Sequence, residues 1–418
     1  MHILYNIATH IATFFIWLSS LFNSKMAMFV AGRKNTFKDL SGAIKATDAT
    51  IWFHCASLGE FEQGFPIMEA VKNKFPEHKL IVSFFSPSGY EIKKNTPIAD
   101  VVVYLPLDTP KNAKRFIAKA HPSVAIFVKY EFWPNYLFEL EKQKIPAVLV
   151  SGLFRENQVF FKSYGNFMRK ALRTFNHLFV QNKASRTLLK SIGIENSLIS
   201  GDTRFDRVSH QIEQDNSLAF MDSFTENKLC IVCGSTWPED DAVLVPYINA
   251  APENVVFVIA PHKIDPEKLH KLAQKLKKPT LHYSSLQQQE EASSAPTVII
   301  IDTIGLLTKI YSYADIAYIG GAMGNTGLHN ILEAATFGVP IVIGNNYDDF
   351  PEASRLQSLA GLFSISNADE LRQIMDKLVE DANFRNKAGM IAGHFVNSNT
   401  GATAITMQYL ETLLQPTP

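Results

Sequence analysis

From Thr50 onward, short apolar runs alternate with longer stretches that carry a polar face. The runs at 51–54, 80–84, 101–105, 124–128, 147–150 and 178–180 read as strands buried on both sides. Helical stretches separate most of them, and alternating β and α predicts a parallel, doubly wound sheet. After Arg207 the series restarts, with runs at 229–233, 255–259, 298–301, 316–319 and 341–343. The pattern therefore predicts an α/β chain of two Rossmann-like domains, joined near 201–214. A ligand is expected in the crevice at the carboxyl ends of the strands of both halves.

Two stretches fall outside this alternation. Residues 3–22 are mostly apolar, interrupted by Asn6, Thr9, His10 and Thr13. A bilayer span needs about 20 apolar residues, so the length is marginal. No basic start of a signal peptide precedes it. Lys25, Arg33, Lys34 and Lys38 follow, which would hold the downstream chain on the cytoplasmic side. The segment is expected to be a membrane anchor, spanning or lying in the interface; a buried N-terminal helix is the alternative. The second stretch, 287–296, is expected as a polar surface loop.

The most informative segment is 315–344. A short apolar run leads into Gly320-Gly321 and on to Gly324, Gly327, His329 and Asn330. Glycines let a backbone approach a ligand and adopt positive φ. Asn330 is placed to cap a short helix whose free N–H groups suit an anion. Gly338 ends that helix before the next strand. Glu333, one turn in, is placed to accept hydrogen bonds from a ribose.

Other strand ends carry further polar groups. Glu60 opens the helix after the first strand, either complementing the helix dipole or serving as a general base. Glu131, among Tyr130, Phe132, Trp133 and Pro134, stands at the matching position of another strand, so two carboxylates are expected to converge. Arg204, near the join, is placed to reach an anionic group in transfer. Gly234-Ser235-Thr236 forms a small-residue turn suited to phosphate. His262 and Lys263 follow the next strand, and the backbone of Ile304 and Leu306 around Gly305 is placed to read a base edge. Together these turns describe a nucleotide pocket.

Composition narrows the options. The chain has 418 residues, room for two or three domains, and zero formal net charge, which gives nucleic-acid binding no electrostatic support. Three cysteines, without a regular framework, suit a reducing compartment. Cys230 and Cys233 lie three apart on a strand, so they face opposite sides and read as core packing instead of a metal pair. Residues 155–190 hold eight Lys or Arg interleaved with aromatics, which reads as a membrane-surface contact; nucleic acid, disfavoured by the neutral total charge, and a solvated helix face are the rival readings.

The apolar N-terminus, Ser57-Leu58-Gly59-Glu60, Lys129-Tyr130-Glu131-Phe132-Trp133-Pro134, Gly201-Asp202-Thr203-Arg204-Phe205-Asp206, Asp302-Thr303-Ile304-Gly305 and His329-Asn330-Ile331-Leu332-Glu333 occur in the order found in 3-deoxy-D-manno-octulosonic acid (Kdo) transferases. The chain resembles that family over nearly its whole length. The resemblance implies a GT-B fold with an N-terminal membrane-anchoring helix. It implies inverting transfer of Kdo from CMP-Kdo to lipid IVA, without metal or other cofactor, at the cytoplasmic face of the inner membrane. By motif it makes Glu60 the base, with Glu131 and Arg204 stabilising the transition state. Gly234, Ser235, Gly321, His262, Lys263, Ile304, Gly305, Leu306 and the run His329, Asn330, Ile331, Leu332 and Glu333 become donor contacts. It divides the chain into an anchor (1–34), an acceptor domain (35–205), a CMP-sugar domain (206–395) and a C-terminal helix packing back across them (396–418). The chain departs from the family where Leu328 replaces a common Gly and Arg204 a common Lys; Arg keeps the charge but changes the donor geometry. A UDP-sugar enzyme of the same fold (a lipid-linked glycosyltransferase or a 2-epimerase) and a non-catalytic nucleotide-sugar binder are the alternatives.

Overall fold

The computed structural model describes residues 1–286 and 295–414; most of the expected loop at 287–296 lies outside the described residues. Two compact units emerge, Met1–Arg207 with Thr400–Pro418, and Val208–Asn399. The borders differ from 205/206 and 395/396 for a local reason. The helix Thr203–His210 runs through the first, and the helix Ala382–Asn397 continues past the second.

The first unit holds seven parallel strands: β1 (Thr50–Cys55), β2 (Lys79–Phe84), β3 (Val101–Tyr104), β4 (Val124–Val128), β5 (Ala147–Gly152), β6 (His177–Val180) and β7 (Ser197–Ile199), in the order β3-β2-β1-β4-β5-β6-β7. Successive side chains point to opposite faces, and the core divides accordingly. Trp52, Ile81, Ala125, Phe127 and Leu149 enter one cluster. Ile51, Phe53, Val82, Ile126 and Val148 enter another. Met407, Leu410 and Leu414 of the C-terminal helix Ala402–Leu414 join the second cluster, against the helix Leu58–Lys74. Asp206 fixes the start of that C-terminal helix, accepting from the backbone N–H of Gly401 at 2.5 Å and of Thr403 at 2.7 Å.

The second unit repeats the plan with β8 (Leu229–Thr236), β9 (Val255–Pro261), β10 (Thr280–His282), β11 (Val298–Ile300), β12 (Ile316–Ile319), β13 (Ile341–Gly344) and β14 (Leu362–Ile365), all parallel, in the order β10-β11-β9-β8-β12-β13-β14. Each sheet reverses its winding once, between β1 and β4 and between β8 and β12. The carboxyl ends of the strands at such a reversal leave the crevice that ligands use. All three cysteines are buried and free, and of the strand pair only Cys233 enters the cluster around Ile231 and Phe257.

At the N-terminus the structure bears on one of the two expected modes of anchoring, the spanning one. Residues His2–Ser19 form an 18-residue helix, followed by a second helix at Ser24–Arg33. Among the described residues no helix is long and apolar enough to cross a membrane. The first helix has no buried residue, and Ile3, Ile7, Ile11, Phe14, Phe15 and Trp17 are all exposed. Residues 155–190 also differ from a single amphipathic surface, because they are shared among a short 3₁₀ turn, two helices and β6. Phe160, Leu172 and Phe175 are buried, and Arg169 donates to the carbonyls of Phe160 at 2.9 Å and Lys162 at 2.8 Å.

Because Leu410 is fully buried between the C-terminal helix and the sheet, Leu410→Ala should lose about 2–5 kcal/mol. Urea unfolding followed by tryptophan fluorescence should register it as an earlier transition.

Candidate active site

In the first unit the reversal between β1 and β4 positions both predicted carboxylates. The chain leaves β1 through Ala56-Ser57 and enters the helix Leu58–Lys74 with Glu60 at its third position. Glu60 and Ser57 form a capping box, with Glu60 Oε2 accepting from the backbone N–H of Ala56 at 2.5 Å and of Ser57 at 3.2 Å. The side chain is nonetheless buried, and among the described residues no hydrogen bond reaches Oε1. Burial first, and the nearby Glu131 charge second, push its pKa up to about 8, against the backbone bonds and Lys129, which lower it. A carboxyl in that range accepts a proton far more readily than an ordinary glutamate, which suits a general base.

Glu131 follows β4 and is held differently. Its Oε2 accepts from the Trp133 indole at 2.7 Å and lies 3.1 Å from His54 Nε2. The His54 ring is fully buried and reaches Ser83 Oγ at 2.8 Å through Nδ1, where the Trp52 indole also donates at 2.7 Å. Glu131 therefore ends a buried polar chain that fixes its orientation. Trp133 belongs to the same motif as Glu131, whereas His54 and Ser83 carry no motif of their own and are brought in by the register of β1 against β2.

Arg204 does not extend alone toward a ligand. Its Nε donates to Asp202 Oδ2 at 2.9 Å, and Gln63, one turn beyond Glu60, donates to Asp202 Oδ1 at 3.1 Å. Asp202 is buried, and Arg204 helps to hold its pKa below the ordinary value. The Tyr130 hydroxyl, raised by burial, also feels Arg155, Arg204, Glu60 and Asp202. The guanidinium is thus already bonded to a carboxylate.

In the second unit the reversal between β8 and β12 gathers the predicted donor residues. Gly234 is required by packing, since a Cβ there would lie 1.9 Å from the Tyr311 hydroxyl. Ser235 turns with φ +55°. Asp240, in the first turn of the helix Pro238–Ala250, accepts from the backbone N–H of Trp237 at 2.8 Å and of Gly321 at 2.9 Å. The Gly321 N–H is therefore engaged by a buried carboxylate. Gly321 has φ +98°, and a Cβ there would lie 2.1 Å from the Gly327 carbonyl. This fold of the loop brings His329 to His262, with ring centroids 4.4 Å apart. Trp237 stacks on His262 at 4.6 Å and donates through its indole to His329 Nε2 at 3.2 Å. Burial and His262 push the His329 pKa down to about 4, and Lys263 lies 5.1 Å from the Trp237 ring. Trp237 is the residue that sequence reading misses here.

Asn330, Ile331, Leu332 and Glu333 follow at once. The helix there is a single turn, Leu332–Ala335, so the expected dipole is small, and Gly338 closes the segment at φ +72°. Asn330 accepts from the Leu332 N–H at 3.2 Å and donates to Glu333 Oε1 at 3.1 Å; Glu333 Oε2 accepts from Thr308 at 3.3 Å. Glu333 thereby ties this loop to the turn Ile304-Gly305-Leu306. In that turn Gly305 has φ +99° and Ile304 is 93% exposed. Among the described residues no group of three or more His, Cys, Asp or Glu is placed to hold a metal ion.

Comparison with known proteins places these features. Residues 31–207 match the family model for 3-deoxy-D-manno-octulosonic-acid transferase (kdotransferase). A 3-deoxy-D-manno-octulosonic acid transferase of Haemophilus influenzae is 27% identical over 382 residues, covering 88% of this chain and 86% of its own. One from Aquifex aeolicus is 26% identical, covering 79% of this chain and 86% of its own. The fold is similar to that of a UDP-GlcNAc 2-epimerase from Neisseria meningitidis, with TM-score 0.62, 14% identity, and coverage of 87% of this chain and all of that one.

The carboxyl pair carries a direct test. Glu60 should titrate near pH 8, and Glu131→Gln, which removes the like charge, should lower that value. Since the folded-state pKa lies above the ordinary 4.5, the folded chain binds this proton more tightly. The stability associated with it should be present below pH 4.5 and lost as pH rises through 8. Carboxyl ¹³C resonances, assigned with Glu60→Gln, would report the titration; an ordinary glutamate value would remove the case for a tuned base.

Proposed function

We propose that this chain, a member of the Kdo transferase family, is an inverting glycosyltransferase moving Kdo from CMP-Kdo to lipid IVA in lipopolysaccharide assembly. The observation that carries the mechanism is the buried Glu60 carboxyl, raised to about 8 beside Glu131 at the reversal of a parallel sheet. Glu60 takes the proton from a sugar hydroxyl of the acceptor. The oxygen forms its bond to the anomeric carbon of Kdo from the face opposite CMP, and CMP departs with the electron pair of the broken C–O bond. The donor has a single phosphate, so no metal or other cofactor is assigned to the step. In the second unit Lys263 and backbone N–H groups near Asn330 offset the growing charge, and Arg204 is the candidate cation of the first. Glu333 takes the ribose, and the turn at Ile304 to Leu306 takes the base.

The outward apolar face of the first helix supports a lipid acceptor. A helix that keeps its large apolar residues in water gains by laying them into a bilayer surface. We place the enzyme accordingly at the cytoplasmic face of the inner membrane. An enzyme that epimerises a free UDP-sugar has no use for such a face, although the fold is shared. A binder without turnover has no use for two coupled buried carboxylates.

Glu60→Gln keeps the shape but cannot take a proton. Single-turnover transfer from CMP-Kdo to lipid IVA should fall by about 10²–10⁴-fold. CMP affinity should hold, whereas Glu333→Gln should weaken it; near-normal transfer by Glu60→Gln would make that residue a helix cap only. For the membrane, Phe15→Ser combined with Phe22→Ser changes two exposed side chains. Flotation with lipid vesicles should fall while thermal unfolding stays as it was, and unchanged flotation would exclude the helix as an anchor.

A further inference from the structure

The N-terminal helix meets the rest of its unit through polar groups as well as rings, and the polar contacts fall at the helix that follows Glu131. The Tyr5 hydroxyl donates to Asp108 Oδ2 at 2.7 Å. Asp108 is buried and also caps the helix Pro134–Lys142, accepting from the N–H of Asn135 at 3.1 Å and of Tyr136 at 3.2 Å. Asn135 returns the contact: its Nδ2 donates to Asn6 Oδ1 at 3.0 Å and to the Asp108 carbonyl at 2.7 Å. Its Oδ1 lies 2.9 Å from His2 Nε2. The His2 and Tyr5 rings rest on Phe167 at 5.7 and 5.2 Å.

The same segment fixes the catalytic loop. Trp133 is the N-cap of the helix Pro134–Lys142, and its indole holds Glu131 Oε2 at 2.7 Å. Pro134 restricts both its own φ and the backbone of Trp133. The link from Glu131 to Asn135 is therefore short and stiff. Any shift of Asn135 is passed to the indole and so to the carboxylate.

We propose that Tyr5, Asp108 and Asn135 are positioning residues, through which seating of the N-terminal helix sets the orientation of Glu131. This rests on the reading of Glu131 as part of the active centre. Engagement of the helix by a lipid surface and readiness of the acceptor-side carboxylates then become one event. A buried carboxylate that loses a donor rearranges toward its remaining partners, and here those are the first N–H groups of the helix behind Trp133.

The test uses the full chain carrying Tyr5→Phe, which removes one hydroxyl, and separately Asn135→Ala. The chain has four tryptophans, so the Trp133 indole N–H can be assigned by Trp133→Phe in a ¹H–¹⁵N spectrum. Tyr5→Phe should shift the Trp133 indole and leave that of Trp237, in the other unit, in place. With a deacylated, water-soluble acceptor, kcat should fall about fivefold, the rate equivalent of one hydrogen bond, at unchanged KM for CMP-Kdo. An unmoved Trp133 indole in both variants overturns the proposal. Equal displacement of Trp133 and Trp237 also overturns it, since the effect would then be general loosening. If the unaltered chain transfers no Kdo, the functional reading fails, while the indole shift still decides whether helix and loop are coupled.

Discussion

A carboxyl group removed from water beside a second one is costly unless it keeps its proton, and the first unit is arranged around that constraint. Parallel strands place all their carboxyl ends on one edge, and the winding reversal between β1 and β4 opens a gap there. Glu60 and Glu131 are the acids at the two strand ends that flank the gap. The two are not equivalent. Glu60 is bonded through one oxygen to backbone N–H groups, while Glu131 is held by an indole and a buried imidazole. One is thus left able to exchange a proton and the other is fixed as a charge that tunes it. The capping bonds of Glu60 engage only Oε2 among the described residues.

The second unit solves a different problem, bringing several loops close enough to enclose a ligand. Its glycines allow backbone-to-backbone contact: a Cβ at Gly320 would lie 2.4 Å from the Ser235 carbonyl. Asp240 then bonds the β8 and β12 loops together through Trp237 and Gly321. With the loops fixed, Trp237, His262 and His329 stack into an aromatic wall, and burial keeps the His329 imidazole neutral at ordinary pH.

The N-terminal helix inverts the usual rule of polar outside and apolar inside. Its hydrogen-bonding residues face Asp108 and Asn135, while Ile3, Ile7, Ile11 and Phe15 stay exposed. In water such an arrangement exposes a patch of the kind that marks an interaction surface. Specific polar seating with outward apolar residues is what a helix needs if it must both keep a fixed angle to its domain and lie in a lipid interface.

The sequence by itself determined the number of domains, the parallel sheets and most of their strands. Those strands are buried on both faces, and continuous apolar runs declare them. The strands it missed, β7, β10 and β14, all lie at sheet edges. β7 and β10 are three residues each and largely exposed or half-buried, and β14 is four residues interrupted by Ser364, so none stands out as an apolar run. The places of Glu60, Glu131 and His262 were legible because each follows its strand within a few residues, which sets it at the carboxyl edge, while Asn330 and Glu333 lie beyond a longer glycine-rich loop after β12. What only the tertiary structure decided is the company those residues keep. The chain from Trp52 through Ser83 and His54 to Glu131, the pairing of Arg204 with Asp202, and the stacking of Trp237 on His262 each join residues from separate strands or turns. So does the seating of Tyr5 on Asp108. Such contacts depend on strand register and on which faces meet, and neither is written in the local pattern of any one segment.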